Sequence, residues 1–350
     1  MSKRFARTLL HWYAGNRRNL PWVGVRNPYL VWLSEMILQQ TRVEQGIPYY
    51  ERFIKAYPTV HKLAAADPEE VMKMWEGLGY YSRARNLHAA AKQVVAAGGK
   101  FPTTLEGLKN LKGVGPYSAA AIMSYAYNAP HAVVDANVVR ILARIYNIQL
   151  PFQASEGKKA FTEKANALLD AKEPANFNQA MMDLGALVCT PRDPKCGICP
   201  FRRECHAAKQ DATDLLPVKT IKAARKKRYF HFLVIRQGAY TYIMQRKEQD
   251  IWNALWQFPL IETPRSLTAK SVLKSEVYAA LTVKKEITGI AGPFKQLLTH
   301  REIICTFFII DVAGNISYAK KGWKKVKTTE LKKYAFPGAI RTFLQRNVYF

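Results

Sequence analysis

Two carboxylic acids and four thiols are the groups in this sequence best placed to do chemistry. Glu35 is the one charged side chain in the apolar run from Tyr29 to Gln40, YLVWLSEMILQQ. A helix apolar nearly all round is buried. Burial raises a carboxyl pKa and gives a proton donor usable near neutral pH. A glutamate paired with an arginine at the helix surface is the plainer alternative. Asp135 stands just before the apolar-periodic run Val138, Val139, Ile141, Leu142. It is suited to cap that helix, and a carboxylate accepting backbone N–H bonds has a lowered pKa and stays ionised. Such an anion can face a developing positive charge. One acid held protonated beside one held ionised is a common way to run both roles in one pocket. Cys189, Cys196, Cys199 and Cys205 fall within seventeen residues, spaced C-x6-C-x2-C-x5-C. Thiols this close argue for metal in a reducing compartment, as tetrahedral Zn²⁺ or an iron–sulfur cluster, rather than for a disulfide framework.

These groups need a frame, and residues 105–140 supply the clearest one. Gly113-Val114-Gly115 forms a tight turn, and Pro116 suits the first position of the helix that follows. Residues 105–127 therefore read as helix, hairpin, helix. Such a turn aims free amides outward at a helix N-terminus, where an anion is stabilised by donors and dipole together. A bare connection between helices is the alternative. Upstream, a short amphipathic helix precedes Leu20-Pro21-Trp22, and Trp22 can stack on a base or pack in a core. Residues 42–101 read as helical throughout. Within them, Gly77-Leu78-Gly79-Tyr80-Tyr81 and the arginines Arg83 and Arg85 interleave in a way suited to a distorted duplex, or to a solvated helix junction. The period changes after Arg228. Strands are expected at 229–235 and 239–244 about Gln237-Gly238, and near 293–299 and 302–312, with one helix near 266–281. This is a smaller α+β domain, and Cys305 in its apolar strand reads as core.

Charge points to the class of partner. The chain has 350 residues, long enough for two domains, and a formal net charge of +27. Residues up to 215 carry an excess of +10 and the remainder +17. Such an excess draws polyanions and makes affinity salt-dependent, which favours nucleic acid over ribosomal or membrane surfaces. The N-terminal run MSKRFARTLLHWYAGNRR has no apolar core of a secretory signal, and no stretch approaches the roughly 20 apolar residues of a membrane span. No membrane association is expected. The expected location is cytoplasmic in a bacterium and nuclear or mitochondrial in a eukaryote.

The run Leu111-Lys112-Gly113-Val114-Gly115-Pro116-Tyr117-Ser118-Ala119 is followed by Val134-Asp135-Ala136-Asn137-Val138. This pattern resembles the helix-hairpin-helix DNA glycosylases of the endonuclease III superfamily. The resemblance implies an all-α glycosylase domain over residues 1–215. In it, Gly113 and Gly115 hold a DNA phosphate and Asp135 works at the sugar with Asn137 in support. Tyr117 stands where bifunctional members have a Schiff-base lysine; a tyrosine there is similar to the MutY branch, the adenine DNA glycosylases. WLSEMILQQTRVE, residues 32–44, matches the motif of that branch's catalytic glutamate. The match implies Glu35 as proton donor and Gln40 as a residue inserted into the base stack. GLGYYSRARNLH, residues 77–88, is similar to the branch's wedge loop, which implies Leu78 and Tyr80 as wedges. Trp22 would lie near the adenine pocket. The cysteine spacing matches the family's [4Fe–4S] loop, residues 189–205, with Arg192, Lys195, Arg202 and Arg203 bringing positive charge to DNA. The chain departs from the family pattern at Lys112, usually proline, at Ala136, usually glycine, and at Val23, usually arginine.

Beyond a linker at 216–228, residues 229–350 resemble a Nudix-type domain, most plainly at Trp252-Asn253-Ala254-Leu255-Trp256-Gln257-Phe258-Pro259. The acidic Mg²⁺-binding helix of Nudix hydrolases is missing, so the domain is expected to bind rather than hydrolyse. In the family it recognises 8-oxoguanine through a Phe-Ser-His motif, which corresponds here to Leu298, Thr299 and His300. The resemblance thus implies a monomeric, monofunctional glycosylase acting on duplex DNA with A:8-oxoguanine or A:G mispairs. A thymine- or uracil-specific glycosylase of the same superfamily and a non-enzymatic iron–sulfur DNA-binding protein are the alternatives.

Overall fold

A computed structural model describes residues 2–219, 224–314, 316 and 322–346. Residues 220–223 of the expected linker lie outside the described residues. Among the described residues the chain runs first through twelve α-helices: α1 Ser2–Asn16, α2 Pro28–Leu38, α3 Val43–Ala56, α4 Val60–Ala65, α5 Pro68–Met74, α6 Ser82–Ala96, α7 Leu105–Lys109, α8 Pro116–Tyr127, α9 Ala136–Tyr146, α10 Ser155–Leu168, α11 Pro174–Leu187 and α12 His206–Lys209. The helical reading of 42–101 holds only in pieces. Thr59 and Asp67 start new helices by accepting from the N–H groups of Lys62 and Glu69 at 3.3 and 2.6 Å. Gly77 and Gly79, at φ 101° and 77°, keep residues 75–81 out of helix.

Two compact units result, residues 1–66 with 86–221 and residues 67–85 with 222–350. The segment 67–85 therefore groups with the second unit, where a contiguous division would put it in the first. The core of the first unit gathers side chains from α1, α9, α10 and α11, with Leu9, Ile141, Leu142, Phe161 and Ala180 fully buried. Phe5 stacks on Phe201 at 4.3 Å between ring centroids. A second layer packs α2 against α3 and α8.

The second unit is built on a seven-stranded mixed sheet. Its strands are β1 Lys226–Gln237, β2 Tyr240–Gln245, β3 Trp256–Gln257, β4 Leu260–Thr263, β5 Lys284–Leu297, β6 Arg301–Ala313 and β7 Lys324–Lys327. The helices α13 Ala269–Leu273 and α14 Glu276–Ala279 precede β5, and α15 Gly338–Arg346 follows β7. The main path is β3-β2-β1-β6-β5, with β4 on β1 and β7 on β2. β1 and β6 pair in parallel from Lys226↔Arg301 to Arg236↔Asp311, and each is continuously buried over its middle, residues 230–235 and 305–310. Phe307 stacks on Phe343 of α15 at 4.1 Å. Three expectations change. β1 starts at Lys226, inside the basic run assigned to the linker. β5 starts at Lys284, because exposed Lys284, Glu286 and Thr288 alternate with half-buried neighbours and give a period of two without an apolar signature. The single helix near 266–281 is two, broken where the Ser275 hydroxyl caps α14 by accepting from the Tyr278 N–H at 3.3 Å. Among the described residues, no helix is long and apolar enough to cross a membrane.

Candidate active site

α2 starts where Asn27 Oδ1 accepts from the N–H groups of Tyr29 and Leu30, at 2.9 and 3.4 Å, with Pro28 in the first turn. Trp32, Leu33, Met36 and Ile37 are fully buried, and they carry Glu35 into the interior with 8 % of its surface exposed. Burial pushes the Glu35 carboxyl up to about 8; the neighbouring charge of Asp135 adds to the rise, and a hydrogen bond from Tyr117 opposes it. Glu35 therefore faces a carboxylate and a phenol and is protonated at neutral pH. Tyr117 is the second residue of α8 and half-buried. Burial and the charges of Glu35 and Asp135 hold its hydroxyl well above the ordinary tyrosine value, so it stays a neutral donor.

Asp135 caps α9: its Oδ1 accepts from the Val138 N–H at 2.8 Å and its Oδ2 from Asn137 Nδ2 at 2.7 Å. The sequence led us to expect a lowered pKa. The structure reverses the direction, because burial raises the Asp135 carboxyl by more than its hydrogen bonds and the charge of Arg140 lower it. Asn137 Oδ1 in turn accepts from Arg140 at 2.8 Å. Arg140 also donates to the carbonyls of Gly185 and Cys189, at 2.7 and 2.6 Å. A line of hydrogen bonds thus runs from Asp135 to the backbone of the first cysteine. Gly185 permits it: a Cβ there would stand 2.5 Å from the Asn137 Cβ. Sequence reasoning passed over Arg140, although a charged residue inside the apolar run VVRILAR is the signal that singled out Glu35. It also passed over Asp183, which is fully buried and accepts from Arg18 Nε at 2.7 Å and Gln179 Nε2 at 2.8 Å. The Tyr125 hydroxyl is held well above the ordinary value by burial and by the charges of Glu35, Asp135 and Asp183.

The expected DNA-contacting residues of the first unit sit in the connections that precede α2, α3 and α8. Gly113 has φ 77°, and a Cβ there would meet Asn86 Cβ at 2.8 Å and Met36 at 3.0 Å. Gly115 caps α8 without a side chain and Pro116 brings no N–H, so the Tyr117 and Ser118 amides head the helix without intrahelical partners. Gln40 is exposed at φ 55°, a region that non-glycine residues rarely adopt. Trp22 is half-buried, edge-on to Tyr50 at 5.5 Å.

Cys189, Cys196, Cys199 and Cys205 line one cavity, walled by Ile141, Ile145, Leu184 and Val188. Arg144 Nη1 donates to Cys189 Sγ at 3.4 Å, and the Cys205 thiol donates to the Arg144 carbonyl at 3.4 Å. Burial pushes the Cys199 thiol up to about 11. Among the described residues, no three Cys, His, Asp or Glu side chains are gathered as ligands of a single metal ion. Arg192, Lys195, Arg202 and Arg203 are all exposed beside the cavity.

In the second unit, Tyr80 has φ 48° and is 47 % exposed, whereas Leu78 is buried. Trp75 Nε1 and Arg83 donate to the Gly79 carbonyl at 3.1 and 3.2 Å, and the Arg83 guanidinium lies 5.6 Å from the Tyr80 ring centroid. Of the two expected wedges, only Tyr80 is thus presented to solvent. Leu298, Thr299 and His300 form the turn between β5 and β6, with Thr299 and His300 exposed and Leu298 half-buried. The Tyr80 hydroxyl and Thr299 Oγ1 are hydrogen-bonded at 3.0 Å.

A family model described as HhH-GPD superfamily base excision DNA repair protein matches residues 33–167, and a NUDIX domain model matches residues 231–346. The chain is similar to the adenine DNA glycosylase of Buchnera aphidicola subsp. Schizaphis graminum, 33 % identical over 330 residues that cover 93 % of this chain and 91 % of the relative. It is 32 % identical to that of Arabidopsis thaliana over 95 % of this chain but 62 % of the relative, so it spans less than two thirds of the plant protein. Among solved structures, a thermostable thymine-DNA glycosylase superposes with TM-score 0.56 at 30 % identity, covering 60 % of this chain and 97 % of that one. A trapped endonuclease III–DNA covalent intermediate superposes with TM-score 0.53 at 21 % identity over 60 % of this chain and 96 % of that one, a likeness of fold alone.

Proposed function

The chain belongs to the adenine DNA glycosylases of the HhH-GPD base excision repair superfamily, and from that premise we propose that it hydrolyses the N-glycosidic bond of adenine mispaired with 8-oxoguanine or guanine. The observation that carries the reading is the grouping of a protonated Glu35, donor Tyr117 and capped Asp135. The target adenine leaves the helix to reach it. Glu35 gives its proton to the base, at N7, while Tyr117 keeps the carboxyl oriented. The C1′–N9 bond breaks with its electron pair going to the base, and the sugar becomes oxocarbenium-like. Asp135, steadied by Asn137, stabilises that cation. Water adds at C1′ and its proton goes to the Glu35 carboxylate, which restores the donor and leaves an abasic site. Position 117 offers no amine for a Schiff base, which supports a monofunctional reaction. In Asp135→Asn the cap survives and the charge is lost. This variant is expected to bind mispaired duplex like wild type and to release adenine about 10³-fold more slowly or worse. Near-normal release would remove Asp135 from this role.

Cys189, Cys196, Cys199 and Cys205 would hold a [4Fe–4S] cluster. Their shared apolar cavity, the Arg144 donor at Cys189 and the family match support it. A bound cluster would supply a charged cross-link that fixes residues 189–205. Iron and acid-labile sulfide at four each per chain are expected; stoichiometric zinc in a colourless protein would overturn the assignment. The second unit would read the base opposite adenine with Tyr80, Thr299 and His300. A thymine-specific activity draws support from the solved-structure likeness, but that covers 60 % of the chain. The adenine-specific relative matches over 93 %, with the second unit included.

A further inference from the structure

The loop joining β2 to β3 gathers charges that the reaction does not use. Asp250 accepts from Arg228 on one carboxylate oxygen and from Arg301 on the other, and Arg246 approaches at 3.5 Å. Arg228 also grips Glu262 through Nε and Nη2, at 2.5 and 2.8 Å. Burial alone would raise the Asp250 carboxyl, but hydrogen bonds from Arg228, the Ile251 N–H and Arg301 hold it down at about 2. The loop itself is tightly specified. Arg246 Nε donates to the Ile251 carbonyl at 2.9 Å, and Asn253 Nδ2 donates to the carbonyls of Lys247 and Glu248 at 3.2 and 2.8 Å. Trp252 and Ala254 sit at φ 62° and 65°, a conformation that persists in non-glycine residues only where the surroundings enforce it.

Both ends of this arrangement reach the segments assigned above to reading the mispair. Arg301 directly follows His300 in the chain. The Leu298–His300 turn is held further by Arg225 Nε on the Leu298 carbonyl at 2.9 Å and by the Lys226 N–H on the His300 carbonyl at 3.1 Å. On the other side, the Asn253 carbonyl accepts from Arg85 at 2.7 Å, on the segment that carries Tyr80. We propose that Asp250 is a positioning residue for mispair recognition: by clamping Arg301 and Arg228 it sets the 298–300 turn relative to Tyr80 and withholds the Arg301 charge from DNA. The inference rests on the reading that the second unit recognises the base opposite adenine. Withholding charge matters because specificity is a difference of affinities, and a free arginine beside the turn would attract the phosphates of any duplex.

The test uses the full-length protein and three readouts: single-turnover adenine release from A:8-oxoguanine and A:G duplexes, the salt dependence of binding to undamaged duplex, and the melting temperature. In Asp250→Asn the ratio of the two release rates is expected to fall roughly tenfold, as for loss of a charge-assisted hydrogen bond. The slope of log affinity against log salt should steepen by about one, as the freed Arg301 reaches a phosphate. Arg301→Met should lower the ratio similarly without steepening the slope, and it decides the matter if Asp250→Asn does not fold. A structural role alone would lower the melting temperature and leave ratio and slope unchanged, which would overturn the proposal. A wild-type ratio of one would overturn both this inference and the reading beneath it, whereas a wild-type preference retained by both variants would overturn this inference alone.

Discussion

At the scale of the residue, the two acids differ from each other in a way that pH can report. Glu35 carries a carboxyl raised to about 8, first by burial and then by Asp135. As the donor it must be protonated, so the release rate is expected to fall as pH rises through about 8. Asp135 must be ionised, and its carboxyl is also raised, so the acidic limb should lie above the usual aspartate range. The two limbs belong to the coupled pair rather than to either group alone. Glu35→Gln should lose roughly 10²–10⁴-fold in rate and abolish the alkaline limb. Stability follows the same sign. A carboxyl raised in the folded protein contributes fully below its ordinary value of 4.5, and that contribution is lost as pH rises through about 8. The melting temperature of Glu35→Gln should therefore gain on wild type across that window. A release rate flat to pH 9 in wild type would contradict the donor role. The raised Glu35 was legible in the sequence, because a helix apolar nearly all round carries its one charge inward and the run WLSEMILQQTRVE weighed against a surface pair. The direction at Asp135 was not: capping is local and readable, while the burial that outweighs it depends on α8, α9 and α11 converging.

At the scale of the element, the pieces that are local in sequence were the ones read correctly. The turn at 113–115 follows from two glycines and Pro116, and the β1–β2 hairpin follows from Gln237-Gly238 between β-branched and aromatic runs. β5 was half missed because its polar alternation resembles a solvated loop, and the 266–281 helix was overextended across Ser275. The grouping of α5 was invisible, since its partners lie more than 150 residues away. Lys73 Nζ donates to the Tyr334 carbonyl at 3.0 Å, Glu76 accepts from the Phe336 N–H at 2.8 Å, and the Tyr81 hydroxyl donates to the Phe336 carbonyl at 3.3 Å. A chain ending at 221 would strip these partners from residues 67–85. Such a truncation keeps Glu35, Tyr117 and Asp135 and should still release adenine. It should melt lower by about 5–10 °C, the effect of a few kcal/mol in a chain of this size. Limited proteolysis should cut first within 67–85. An unchanged melting temperature and a protected 67–85 segment would show that this segment does not depend on the second unit.

At the scale of the whole molecule, a net charge of +27 explains attraction to DNA and nothing of choice. In the proposed reading, choice comes from the Glu35, Tyr117 and Asp135 group of the first unit and from Tyr80, Thr299 and His300 in the second. The catalytic half of that division was legible because its motifs are short and contiguous. The recognition half was legible at Tyr80 and at Leu298–His300, but not in what holds them, because Asp250 meets Arg301, and Asn253 meets Arg85, only through folding. The central claim is that this chain releases adenine according to the base opposite. The most direct measurement is single-turnover release from otherwise identical duplexes with adenine opposite 8-oxoguanine, guanine or thymine. The account expects release that is fastest opposite 8-oxoguanine, slower opposite guanine and absent opposite thymine, with intact abasic strands as product. Release of thymine from G:T duplexes with none from the adenine mispairs would contradict it.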